Sequence, residues 1–141
     1  MKLVLDTNVL LAAFLTRGVC HELLEHCARN HELVTSDFVL REFAGKLEGK
    51  FHVPVKQARR AVELLRGEMV MVEPSEPVER VCRDPDDDQV LATAIAGECR
   101  CLVTGDDDLL SLREHGGVRV VSPGSFWAFE AGADLARSPS R

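Results

Sequence analysis

Short apolar runs alternate with helical patterns along almost the whole chain, and this alternation restricts the fold more than any other feature. "KLVL" at 2–5, "ELVTS" at 32–36, "MVMVEP" at 69–74, "CLVTG" at 101–105 and "VRVV" at 118–121 read as strands. Helical patterns fall between them, at 8–14, about 19–29, from the N-cap candidate Ser36 to Gly49, and from Pro54 to Arg66. Three more follow: Asp86 to about Glu98, about 107–115 with Gly116 and Gly117 as its stop, and a short one within "SPGSFWAFEA". Strands that alternate with helices pair in parallel and are covered by helices on both faces. The expected architecture is a three-layer α/β/α sandwich around a mainly parallel central sheet. One domain over residues 1–130 suits a chain of 141 residues, with 131–141 read as a disordered tail.

Composition narrows the function. Apolar residues make up 45% of the chain, enough for one sizeable core. No apolar run reaches bilayer-spanning length, and Asp6 interrupts the one stretch, "MKLVLDTNVL", that could pass for a signal core. The expected location is the cytoplasm, with no membrane partner. An odd number of cysteines, five, argues against a disulfide framework. Cys20, Leu23, Leu24 and Cys27 fall on one helical face, which reads "CHELLEHC" as core cysteines with surface histidines. His21 and His26 would point roughly 140° apart on a helix, which does not suit a shared metal.

The net charge of −6 counts against broad nucleic-acid binding but leaves room for a local basic patch. Lys46, Lys50, Lys56, Arg59 and Arg60 form the candidate, with a solvated helix face as the alternative. The acids are more informative. Asp84, Asp86, Asp87 and Asp88 crowd into "DPDDD", and Asp106, Asp107 and Asp108 into "GDDD". Aspartate caps helices and favours their first turns, so part of each cluster needs no further role. Capping does not account for Asp6, Asp88 and Asp106 together. In an open parallel sheet, residues that follow strands emerge at one edge, where ligands bind. Asp6 follows the first strand directly and Asp106 follows "CLVT" after one glycine. Carboxylates gathered there repel one another unless a cation joins them. An all-oxygen donor set favours Mg²⁺ or Mn²⁺, which bind substrate phosphate and lower the pKa of a bound water.

These residues resemble the PIN-domain family, in particular its small stand-alone ribonuclease toxins. "LVLDTNVLLAAFL" is similar to the opening motif, with Asp6 as first acid and Asn8 beside it; "SDFVLREFAGKL" resembles the second, with Glu42 at the acidic position. "DPDDDQVLATAIAGECRCLVTGDDDLL" resembles the third and fourth motifs. Its alanine pattern points to Asp88 as third acid, with Asp87 as the alternative. Asp106 is the fourth, Asp108 an additional candidate ligand, and Thr104 matches a small hydroxyl found before the fourth acid. The resemblance implies a metal-dependent endoribonuclease acting on single-stranded RNA, with catalytic Asp6, Glu42, Asp88 and Asp106. It further implies a homodimer and a cognate antitoxin. The alternative is an inert or regulatory α/β domain with an acidic pocket. A haloacid-dehalogenase phosphatase would need an acid where Asn8 stands, and a receiver would need an acid beside Asp6 and a lysine after the last strand.

Overall fold

The computed structural model describes residues 1–136. Its elements run β1 (Lys2–Leu5), α1 (Thr7–Leu15), α2 (Val19–Asn30), β2 (Glu32–Thr35), α3 (Asp37–Gly49), α4 (Val55–Glu68) and β3 (Val70–Met71). They continue with α5 (Pro85–Ala96), β4 (Cys101–Val103), α6 (Asp107–Leu110), β5 (Glu114–His115), β6 (Val118–Val121) and α7 (Phe126–Ala136). The six strands form one sheet in the order β3-β2-β1-β4-β6-β5. Every neighbouring pair is parallel except β5–β6.

The central strands explain the layering. Successive side chains of a strand point to opposite faces. Leu3, Val4 and Leu5 in β1 and Cys101, Leu102 and Val103 in β4 are nevertheless all buried. Both faces of the sheet centre are therefore covered, as consecutive apolar residues in a parallel strand require. Ser36 caps α3 as expected, accepting from the Val39 N–H, and Val39, Leu40, Phe43 and Leu47 form its buried stripe.

Three boundaries differ from the sequence reading. The helix expected over 107–115 stops at Leu110, and Glu114–His115 pairs antiparallel with β6. Gly116 and Gly117 both have positive φ, 58° and 82°, so they close a two-residue hairpin rather than merely ending a helix. Helix α5 begins at Pro85 with Asp84 as its N-cap, not at Asp86. Helix α7 continues to Ala136, past the boundary drawn at residue 130; the rest of the expected tail, 137–141, lies outside the described residues.

Candidate active site

The strand order makes the crevice. From β1 the chain moves outward through β2 to β3, then crosses back to β4 on the other side of β1. Strand order thus reverses between β1 and β4, the position where open α/β sheets bind ligands. Leu5 pairs with Val103, so the residues after these two strands emerge side by side.

Asp6 comes first. It is 5% exposed, and its backbone N–H donates to the Val103 carbonyl at 2.9 Å. Its Oδ1 accepts from the Thr7 N–H at 2.7 Å and so caps α1. Its Oδ2 accepts from the Thr104 hydroxyl at 2.7 Å. That same hydroxyl accepts from the Asp106 N–H at 3.0 Å. One fully buried threonine thereby ties the two strand-end acids together. Asp106 Oδ1 caps α6 through the N–H groups of Asp108 and Leu109, at 2.8 and 3.1 Å. Its Oδ2 has no hydrogen-bond partner among the described residues.

Glu42 joins from α3. Its Oε1 accepts from the Thr7 hydroxyl at 2.6 Å, so Thr7 links the second acid to the helix that Asp6 caps. Lys46, one turn further along α3, donates to Asn8 Oδ1 at 3.3 Å. Burial pushes the carboxyl pKa values of both Asp6 and Glu42 up; neighbouring acids add to this, while hydroxyl donors and the Lys46 ammonium oppose it.

The aspartate triplet is where the sequence reading needs correction. Asp87 feels the group: burial, then the charges of Asp106, Asp84, Asp6 and Asp108, push its carboxyl up to about 7. Asp86 is felt by Glu42. Asp88 faces elsewhere. It is 2% exposed, and its Oδ1 accepts from the backbone N–H groups of Val81 and Cys82 at 2.9 and 2.7 Å. Its Oδ2 lies 3.2 Å from Arg80 Nε. Burial alone would raise its pKa, but the Cys82 and Val81 donors and Arg80 outweigh burial and hold the carboxyl below its ordinary value. Asp88, expected as the third acid, is thus held by Val81, Cys82 and Arg80, while the charges of the cluster bear on Asp87. Pro85 at the first helical position marks Asp84 as the cap of α5. Thr7 was missed outright, although its place directly after Asp6 was the available hint.

The remaining candidates divide. Asp108 lies at the rim, 3.0 Å from Arg83 Nη2. Of the basic five, Lys46 reaches the acids. Lys50 packs over the Phe51 ring at 5.5 Å, and Lys56, Arg59 and Arg60 are exposed on or beside α4.

The donor set of the crevice consists of carboxylates and hydroxyls, and its negative charge is opposed by Lys46 with Arg83 at the rim. Such a set fits a hard, hydrated divalent cation. The matching family model is the PIN domain, over residues 2–108. The chain belongs to the PIN-domain family. Solved PIN-like chains share the fold. VapBC2 from Rickettsia felis, bound to a DNA fragment from their promoter, superposes with a TM-score of 0.64 at 16% identity, covering 86% of this chain and 98% of that one. VapBC-1 from nontypeable Haemophilus influenzae gives 0.54 at 21% identity over 75% and 87%. PAE2754 from Pyrobaculum aerophilum gives 0.57 at 16% identity over 94% and 90%. No curated protein matches the chain. In this PIN domain no described helix is long and apolar enough to cross a membrane.

Proposed function

We propose that this PIN domain is a Mg²⁺- or Mn²⁺-dependent endoribonuclease that cleaves single-stranded RNA, and that it is the toxin of a toxin–antitoxin pair. One observation carries the reading. Asp87, pushed up to about 7 first by burial and then by the charges of Asp106, Asp84, Asp6 and Asp108, stands beside Asp6 and Asp106, which one buried threonine hydroxyl ties together. Helix capping accounts for Asp6, Asp84 and Asp106 one by one; it gives no reason for a further carboxylate, Asp87, among them, and a cation does.

Asp6, Asp87 and Asp106 are the residues that would hold the cation, with Asp108 at the rim. When bound, it supplies a lowered pKa for an attacking water and charge stabilisation for the phosphodiester. The chain's own groups do the positioning. Thr104 fixes the rotamer of Asp6 and the backbone that carries Asp106. Thr7 holds Glu42 Oε1, which leaves Oε2 to take a proton from the attacking water. Lys46 and Arg83 offer cations to the RNA backbone on either side of the acids. Membership of the family, together with the site, supports a cytoplasmic hydrolase.

Partners follow the same reading. Exposed Phe14, Leu15 and Leu64 border an apolar groove with Val53 and Ala61, and we assign this surface to a cognate antitoxin. Self-association as a homodimer belongs to the same proposal. Purified protein should cut single-stranded RNA with Mn²⁺ and stop in EDTA. RNA binding without cleavage in any divalent metal would favour the inert-module alternative.

A further inference from the structure

A second group of side chains of metal-ligating type lies at the opposite edge of the sheet. His26 is in the last turns of α2, His31 is the residue between α2 and β2, and Glu130 is in α7. One ligand atom from each lies within 4.8 Å of the others. His26 Nε2 is 2.6 Å and His31 Nε2 2.5 Å from the same oxygen, Glu130 Oε2. Glu130 stands 104 and 99 residues from His26 and His31 in sequence, so no local helix or turn requirement brings it to the two histidines. All are partly shielded, with side-chain exposures of 29%, 10% and 19%. Aromatic rings wall them in: Phe126 lies 6.0 Å from His31, and Trp127 lies 4.7 Å from His26, centroid to centroid.

We propose that His26, His31 and Glu130 form a transition-metal site, of a kind that takes Zn²⁺, distinct from the acidic crevice. Two imidazoles and one carboxylate make a borderline donor set that suits zinc, cobalt or nickel rather than magnesium. In tetrahedral zinc the ligand atoms stand about 3.3 Å apart, given bonds of ~2.0–2.2 Å. The present contacts need to open by less than about 1 Å to admit the ion. The outer nitrogens already have partners. The Asn30 amide lies 3.3 Å from His26 Nδ1, and the terminal amino group 3.2 Å from His31 Nδ1. On metal binding each neutral imidazole keeps one proton, which moves from Nε2 to Nδ1. The three protein ligands leave a fourth position for water. The site would pin α7 to the end of α2, giving the C-terminal helix a metal-dependent anchor.

Trp127 is the single tryptophan of the chain and serves as reporter. The tag-free full chain is titrated with Co²⁺, which quenches a neighbouring indole, and Zn²⁺ is then added as a competitor. Saturable quenching at micromolar Co²⁺, relieved by Zn²⁺, is expected. His31→Gln and Glu130→Gln should each raise the half-saturating concentration at least tenfold, whereas Asp6→Asn should leave it unchanged. His26→Asn is a further variant should either of these fail to fold, and circular dichroism monitors each. The proposal is overturned if the wild-type chain shows no saturable quenching below millimolar Co²⁺, if folded ligand variants quench like wild type, or if Asp6→Asn removes the effect.

Discussion

The two edges of the sheet treat carboxylates in opposite ways. At the edge where the strands end, Asp6, Glu42 and Asp87 are all pushed up by burial and then by neighbouring acids. At the edge where they begin, Glu130 accepts from two imidazoles, and these partners outweigh burial and hold its carboxyl below the ordinary value. Asp88, beside Asp87 in sequence, shares the second behaviour because backbone donors and Arg80 surround it. Residue type therefore says little about state; the supply of donors decides it. Charge left uncompensated marks the place where an outside ion is needed, and compensated charge marks a joint in the fold.

Exchanging the acids should break this contrast most visibly. Asp6→Asn and Asp106→Asn should lower RNA cleavage by about three orders of magnitude or more, which corresponds to about 4 kcal/mol of transition-state stabilisation. Their melting temperatures without metal should hold or rise, since each removes repulsion. Glu130→Gln should keep cleavage within a few-fold. A collapse of the apo fold in Asp6→Asn would show that Asp6 acts as a structural acceptor instead. Next comes the neighbouring pair. Asp88→Ala strands two backbone N–H groups and should cost about 2–3 kcal/mol in urea unfolding. Asp87→Asn should abolish Mn²⁺ stabilisation without that loss. Equal destabilisation by the two would erase the distinction between them.

Thr104→Val keeps shape and removes the hydroxyl that bridges Asp6 and Asp106. Mn²⁺ affinity, read by calorimetry, should fall about 10- to 100-fold, as for other groups that orient metal ligands. The last effect is one of pH. Asp87 has a folded pKa of about 7 against an ordinary value of 3.8. Between those values the folded chain holds a proton that the unfolded chain has released. Apo stability should therefore decline relative to Asp87→Asn as pH rises from about 4 to 7, and level off above. The Mn²⁺-induced gain in melting temperature should grow over the same window, because metal and proton compete for one carboxylate. A pH-independent difference between the two proteins would place Asp87 outside the cluster.

Much of this was legible in the sequence because alternation and strand ends are local signals. "KLVL" followed by Asp6 and "CLVT" followed by Gly105 and Asp106 fix which edge the acids share, once the sheet is parallel. The triplet was not legible in the same way. Each residue step turns a helix by about 100°, so neighbours in the triplet face different ways, and the alanine pattern after Asp88 does not say which of them faces the crevice. The hairpin at Gly116–Gly117 was hidden because two glycines end a helix and turn a strand equally well. His26 was read as a surface residue, since nothing near "CHELLEHC" announces Glu130 more than a hundred residues away.

The outermost strands carry a consequence for how copies of this chain can meet. β3 and β5, the two borders of the sheet, are each two residues long. Fibril-forming segments need about six or seven residues of unpaired backbone to seed stacking, and sheet borders that short offer no such template. A crowded, apolar, mostly parallel sheet is thus kept from zipping onto its neighbours, and contact between molecules is left to the side chains of the helices.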